Sequence, residues 1–398
     1  MISRDEYLNK LIKFRDKDLI KIVTGIRRCG KSTLFEIYEN YLKENGVDDS
    51  HIIKINLEDV KYHDILDDFV KLYEIVMNEI KDDGKYYVFL DEVQKVDSFQ
   101  KACDGLYIKK NIDLYITGSN SNLLSGELAT LLSGRYVEIK MLPLSFKEFI
   151  SFYKDDNNLE RLYQKYISFG SFPYVVNFDD IDDVEIYLKG IYDSIIVNDI
   201  IDRKKFPDVA MLKSVVYFML DNIGNITTTK KMSDTMTSSG RSISVHTVES
   251  YIESLLESFT FYKTSRYDVK GKQYLKTGDK YYVADPGLRY TLLGRKQGDR
   301  GHILENVVYL ELLRRGYDVY IGKVDDLEVD FVAINSKGIE YYQVSETVRD
   351  ESTLNRELKS LQSVKDNFPK YILTMDIDPD TTYDGIIKRN VLDWLLDK

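Results

Sequence analysis

The sequence predicts an α/β protein: a parallel sheet covered by helices, then a helical section, then a second and mixed sheet. Three observations carry that prediction. Short apolar runs alternate with helically spaced apolar positions over the first 150 or so residues. A glycine-rich turn joins the first run to the first helix. From residue 303 the order becomes helix, three strands, helix, strand. The bulk composition admits such a protein, because 43% hydrophobic and 30% charged residues with only six prolines exclude a chain dominated by disorder. Its 398 residues allow two to three domains at about 100–200 residues each.

Residues 19–24 read as a buried strand and 33–44 as a helix, with Leu34, Ile37, Tyr38 and Leu42 at helical spacing. Between them, Gly25-Ile26-Arg27-Arg28-Cys29-Gly30-Lys31-Ser32, followed by Thr33, fits G-x-x-x-x-G-K-[ST]. A strand that leaves through such a turn into a helix aims backbone N–H groups and the positive helix end at one spot, which suits a polyphosphate. Lys31 would reach the β- and γ-phosphates and Ser32 would ligate Mg²⁺. Further elements follow: a strand at 52–57, a helix at 70–80, and the run Tyr86-Tyr87-Val88-Phe89-Leu90 ending in Asp91-Glu92. Carboxylates at that strand end lie beside the phosphate loop in an open α/β sheet. Asp91 is placed for the Mg²⁺ shell, and Glu92 for orienting or deprotonating the attacking water. A strand at 112–116 leads to Thr117-Gly118-Ser119-Asn120, with Asn120 or Ser119 as γ-phosphate sensor. A helix-like stretch at 123–132 ends in Ser133-Gly134-Arg135, which makes Arg135 a candidate arginine finger, toward its own site or a neighbouring subunit's.

GIRRCGKST, YYVFLDEVQ, ITGSN and LLSGRY, in that order and spacing, resemble the prokaryotic AAA-type P-loop ATPases that carry a winged-helix segment and a restriction-endonuclease-like C-terminal domain of unknown function. The resemblance implies ATP and Mg²⁺ as cofactors, Gly25 to Ser32 as the ATP loop, Asp91 and Glu92 as the metal and catalytic acids, Asn120 as sensor and Arg135 as finger. It also implies a chain divided into an ATPase domain (1–153), a helical lid (154–207), a winged helix (208–286) and a nuclease-like domain (287–398).

The middle of the chain supports helices at 162–168 and 184–199 around Gly170-Ser171-Phe172-Pro173, then helices at 209–220, 230–237 and 245–256 and a hairpin near 259–264 and 281–284. Thr227-Thr228-Thr229 and Ser244 supply helix caps. This pattern looks like a winged helix whose third helix is poor in base-reading side chains. In the wing, Lys263, Arg266, Lys270, Lys272, Lys276 and Lys280 outnumber the acids, with Tyr267 and Tyr274 interleaved. They form a candidate DNA-backbone patch. A solvated hairpin and a protein-contact surface are the competing readings. The net charge of -11 means that any nucleic-acid contact must come from such a patch.

In the last section, a helix at 303–315, strands at 319–323, 329–334 and 340–345, a helix at 354–364 and a strand at 371–375 place Glu305, Asp330 and Gln343-Val344-Ser345 at the metal-site positions of a nuclease-like fold. Gln343 stands where that pattern has its second acid and Ser345 where it has its lysine, with Lys359 as a migrated substitute. The sequence therefore favours a nucleotide-controlled switch acting on DNA or a protein partner, self-association included, over an ATP-gated nuclease. Two cysteines in no metal or disulfide spacing, four scattered histidines, and no apolar run near the length of a bilayer span predict a cytoplasmic protein without zinc, signal peptide or membrane segment.

Overall fold

Strand β1 (Ile20–Thr24) is buried along its whole length, as a β-branched run flanked by strands on both sides must be. It pairs in parallel with β4 (Ile112–Gly118) on one side and β5 (Tyr136–Lys140) on the other. With β2 (Ile52–Asn56) and β3 (Tyr86–Asp91) it makes a five-stranded sheet of order β2-β3-β4-β1-β5. Helices α1 (Asp5–Phe14), α2 (Lys31–Glu44), α3 (Phe69–Glu79) and α4 (Phe99–Tyr107) complete this part. One face of the sheet packs a mainly aliphatic cluster, with Ile22, Val88, Leu90, Ile116 and Cys103 fully enclosed, and the other packs the rings of Phe35, Tyr38, Phe89 and Tyr115. The structure, a computed structural model, describes residues 2–124, 132, 134–201, 204, 206, 208–271, 273–274, 278–294 and 298–398. The helix expected at 123–132 lies mostly outside them, as do Ser133, Lys272 and Lys276.

Two compact units result, Met1–Pro143 with Glu257–Phe259, and Leu144–Leu256 with Thr260–Lys398. In the second, α5 (Phe146–Ile150) opens with a capping box in which the Ser145 hydroxyl accepts from the Glu148 N–H and the Glu148 carboxylate accepts from the Ser145 N–H. Then come α6 (Leu159–Phe169) and α7 (Ile181–Ser194), which continues as a π-helical turn through Ile201. Helices α8 (Val209–Asp221), α9 (Thr229–Ser238) and α10 (Val245–Glu257) stand where expected. Thr228 and Ser244 cap α9 and α10 by accepting the N–H groups of Lys231 and Thr247 at 3.1 and 3.0 Å.

Strands β6 (Phe261–Thr264) and β9 (Lys280–Val283) form the expected antiparallel pair. The chain between them does not extend that hairpin. β7 (Arg266–Asp268) and β8 (Gln273–Tyr274) instead join the edge of an eight-stranded sheet, β7 lying parallel to β10 (Asp318–Val324). Helices α11 (Pro286–Leu293) and α12 (Arg300–Arg314) lead into that sheet. Its other members are β11 (Leu327–Asn335), β12 (Gly338–Ser345), β13 (Lys370–Thr374), β14 (Thr381–Tyr383) and β15 (Ile386–Asn390), in the order β14-β15-β13-β12-β11-β10-β7-β8. Helix α13 (Glu351–Gln362) covers one face through Leu358 and Leu361, and α14 (Val391–Leu395) ends the fold.

The turn at Gly170 shows why its residue types matter. Asp285, fully buried, accepts hydrogen bonds from the Ser171 N–H, the Ser171 hydroxyl and the Leu288 N–H, so it both caps α11 and holds the turn. A Cβ on Gly287 would stand 2.5 Å from the Gly170 Cα, which only glycine avoids. Among the described residues no helix is long and apolar enough to cross a membrane.

Candidate functional site

The parallel register brings the ends of three strands to one level. Thr24 is paired with Gly118 and with Lys140, and Leu90 with Ile116, so Asp91 and Thr117 are neighbours. The Gly25 to Ser32 loop leaves β1 at this edge, between β4 and β5, where an open α/β sheet binds its ligands. Gly25 is required by close approach, since a Cβ there would lie 2.2 Å from the Met141 carbonyl oxygen. Gly30, at φ 100°, supplies the left-handed turn into α2, and Arg28 takes φ 67°. Ile26 and Cys29 are buried under the loop, Arg27 pairs with Glu58 at 2.7 Å, and Ser32 and Thr33 begin the helix. Arg4, unremarked in the sequence, pins the loop from below. Its guanidinium donates to the Cys29 carbonyl at 3.2 Å and to the Leu142 carbonyl at 2.6 Å.

Lys31 is buried, and its Nζ lies 3.2 Å from Glu92 Oε1 and 3.1 Å from the Gly25 carbonyl oxygen. Burial is the largest single effect and opposes its charge, but Glu92 together with Cys29 and Asp91 holds its pKa above the ordinary lysine value. Burial likewise acts to raise the pKa of Glu92, and the Lys31 ammonium, aided by Gln94, brings it below the usual glutamate value. Asp91 behaves differently, because burial raises its pKa although the Ser32 and Thr117 hydroxyls donate to it. The Thr117 hydroxyl also accepts the Glu92 N–H at 2.8 Å, which ties the two strand tips. Gln94 Nε2 donates to Glu92 Oε2 at 2.5 Å and to Ser119 Oγ at 3.2 Å. In the sequence Gln94 is the last residue of YYVFLDEVQ, two residues after Glu92. Asn120 is buried at the end of β4 beside Ser119.

Lys31, Ser32, Asp91, Glu92 and Ser119 thus converge, and Asn120 adjoins them. Arg135 does not. Its carbonyl accepts the Ile20 N–H, at the opposite end of β1, so the four residues of strand to Thr24 set it about 13 Å below the loop. Its guanidinium pairs with Asp104 at 2.5 Å and lies over the Tyr107 ring. A finger toward its own phosphate site is therefore ruled out. The Cys29 thiol is not acidified by the helix end either, since burial raises its pKa.

Residues 17–150 match the AAA domain family, and residues 160–299 match a domain of unknown function (DUF8612). An uncharacterised protein of Haemophilus influenzae is 43% identical over 401 residues, which span all of this chain and 99% of that one. An uncharacterised protein of Methanocaldococcus jannaschii is 30% identical over 366 residues, 87% of this chain and 79% of that protein. The chain belongs to this AAA-domain family. A Walker-type ATPase of Pyrococcus abyssi has a similar fold, with a TM-score of 0.52 at 15% identity, covering 73% of this chain and 96% of that one. Nucleotide-dependent activity is what membership of this AAA-type ATPase family supports.

The second expected site of this AAA-domain protein is assembled differently from its sequence reading. Glu305, Asp330 and Gln343 do meet, in a cleft of about 590 Å³ that His302 and Glu357 also line. Lys359 is exposed and does not line it; the lysine that meets two of its lining acids is Lys280, whose buried Nζ lies 2.9 Å from both Glu305 Oε1 and Glu328 Oε1. Lys280 is thus corrected from a surface cation of the wing to a buried one. Burial opposes its charge, but Glu305 and Asp330 raise its pKa. Burial and the Glu305 charge push Asp330 up to about 8. Ser345 turns its hydroxyl to the Thr347 carbonyl at 3.0 Å. Of the remaining basic stretch, Lys263 pairs with Asp279 at 2.8 Å, Lys270 with Asp325 at 2.5 Å, and Arg266 opens β7.

Proposed function

We propose that this protein is an Mg²⁺-dependent ATPase whose nucleotide state controls attachment to a partner, with no phosphodiester cut. The observation that carries the reading is the convergence of Lys31, Ser32, Asp91 and Glu92 at the carboxyl edge of the parallel sheet. The Ser32 hydroxyl and the Asp91 carboxylate are adjacent hard oxygen donors, a set that suits Mg²⁺ arriving with ATP. Mg²⁺ bound there supplies neutralisation of phosphoryl charge. The loop N–H groups through Thr33 cradle the phosphates. Lys31 transfers its ammonium from the Gly25 carbonyl and Glu92 to the β- and γ-phosphates, which frees Glu92 Oε1 to accept a hydrogen bond from water. Gln94 keeps Glu92 Oε2 in place, and Ser119 and Asn120 face the γ-phosphate. Arg135 serves a phosphate only on a second copy of the chain.

In this reading residues 1–153 are the ATPase domain, 154–207 a lid, 208–286 a winged helix and 287–398 a restriction-endonuclease-like fold that recognises rather than cuts. A protein partner is favoured over DNA, because Lys263 and Lys270 are already matched by acids and Lys280 is buried. A cytoplasmic setting suits two free, buried thiols. The test is ATP binding and phosphate release by Lys31→Ala. Loss of both is expected, and hydrolysis at the parent rate would end the reading. For the partner, the wild-type rate with and without single- or double-stranded DNA is expected to be equal at low salt. DNA binding that weakens steeply with salt would move the output to nucleic acid.

A further inference from the structure

We propose that the Lys280 ammonium stands in the place of a divalent cation in the acidic cleft of the second unit, so that the cleft is closed to Mg²⁺ and Mn²⁺ and acts as a fixed joint. The three elements it joins are the β6–β9 hairpin, which carries Lys280, helix α12, which carries Glu305, and strand β11, which carries Glu328 and Asp330.

Glu305, Asp330 and Gln343 each have an oxygen already engaged within the chain. Glu305 Oε1 receives the Lys280 ammonium at 2.9 Å and the Tyr282 hydroxyl at 2.6 Å. Asp330 Oδ2 accepts the Val344 N–H at 2.8 Å. Gln343 Oε1 accepts the Asp330 N–H at 2.7 Å, while its Nε2 donates to Glu357 Oε2 at 2.5 Å. The last bond sets the amide's orientation, because a flipped Gln343 would press its oxygen against a carboxylate and its NH₂ group against an N–H. Gln343 therefore cannot turn a carbonyl to a metal without losing two hydrogen bonds.

The ammonium itself sits where two carboxylates from different elements converge, 2.9 Å from each, with its side chain 4% exposed. A metal taking the same oxygens, at about 2.0–2.2 Å for Mg²⁺ and similar ions, would stand within a few ångströms of a buried positive charge. In such surroundings that repulsion is strong, so the two cations exclude each other. Among the described residues no group of three or more His, Cys, Asp or Glu side chains is arranged to hold a metal ion. The cleft is therefore a charge-compensated cluster with its cation supplied by the chain, which explains how Gln343 and Ser345 can stand where a metal site would have an acid and a lysine. This inference does not depend on ATP hydrolysis.

The experiment is a Mn²⁺ titration of the full chain without nucleotide, following free Mn²⁺ by its paramagnetic resonance. Wild type, Glu305→Gln and Asp330→Asn are expected to bind the same number of equivalents, and Lys280→Gln one more, lost again in Lys280→Gln/Glu305→Gln. A Mn²⁺ equivalent present in wild type and absent from a folded Glu305→Gln or Asp330→Asn protein overturns the proposal. So does a folded Lys280→Gln protein that gains none. If Lys280→Gln does not fold, the comparison of wild type with the two acid variants decides alone.

Discussion

Glu92→Gln is the substitution that separates binding from chemistry at the phosphate loop. The side chain has the same shape, and Glu92 already sits at φ 53°, a strain that glutamine shares, so the backbone has no reason to move. What changes is charge. Glu92 Oε1 meets Lys31 at 3.2 Å and Oε2 meets Gln94 Nε2 at 2.5 Å, so one amide oxygen can serve only one of these donors. Losing one charge-assisted hydrogen bond in this buried place costs about 1–3 kcal/mol of stability. Lys31 meanwhile loses the carboxylate that competes with phosphate, so ATP affinity is expected to hold or rise. A positioned base contributes about 10²–10⁴-fold, so turnover should fall by that factor, about 3–5 kcal/mol in barrier. The assay pairs ATP titration calorimetry with phosphate release under saturating ATP. In the nucleotide-free protein Lys31 holds the Glu92 pKa below its ordinary value, so kcat/KM, which reports the free protein, should not fall on account of Glu92 until the pH is below the usual glutamate range. Glu92→Gln protein that hydrolyses ATP at the parent rate refutes the assignment. So would a variant that loses ATP binding while remaining folded.

Three further outcomes follow from the geometry. Arg135→Ala should leave the turnover of dilute protein unchanged, because Arg135 pairs with Asp104 at the far end of β1; a loss that persists on dilution would mean a path to its own site that the register excludes. Gly287→Ala should cost about 1–3 kcal/mol by urea unfolding, since the new Cβ meets the Gly170 backbone at 2.5 Å, and should leave ATP affinity alone. Asp330, with its pKa raised to about 8, binds a proton in the folded protein that the unfolded chain releases above its ordinary value of 3.8. Its contribution is therefore favourable at low pH and declines as pH rises toward 8, by up to about 1.4 kcal/mol per pH unit. Asp330→Asn should flatten that slope in unfolding measured from pH 5 upward, and an unchanged slope would assign it elsewhere.

Much of this architecture is legible in the sequence where one physical signal dominates. Strands β1, β3 and β4 are nearly continuous apolar runs because both faces are covered, and the helices at 209–221, 229–238 and 245–257 announce themselves by spacing and caps. β5 is half-exposed along Tyr136 to Glu138 and follows the LLSGRY segment, so the strand hides and Arg135 reads as a finger. Its true place comes from the pairing of β5 with β1, a long-range fact that no local pattern carries. Helix α1 depends on Tyr7 and Leu11, one turn apart among charged residues, and Arg4 gains its meaning only through the Cys29 and Leu142 carbonyls. The stretch of β7 and β8 reads as part of the wing between the hairpin arms for the same reason: the sheet edge it joins lies some 50 residues ahead in the chain.

Two of the buried lysines show why residue type alone does not separate a site from a joint. Lys31 and Lys280 each lie beside a buried glutamate, at 3.2 and 2.9 Å. For Lys31, the other partners are the neutral carbonyls of Gly25 and Ile26, on a loop whose N–H groups end at a helix start. A phosphate arriving there offers the ammonium more charge than the carbonyls do, so exchange is downhill. For Lys280, the second partner is another carboxylate, Glu328, while Tyr282 closes the remaining side of Glu305. An anion entering that cleft would have to displace two carboxylates and stand beside them, and a metal would have to stand beside the ammonium. Neither exchange gains charge pairing. The same pair of residue types is thus poised for a ligand in one place and satisfied in the other, and what decides between them is the charge of the third group.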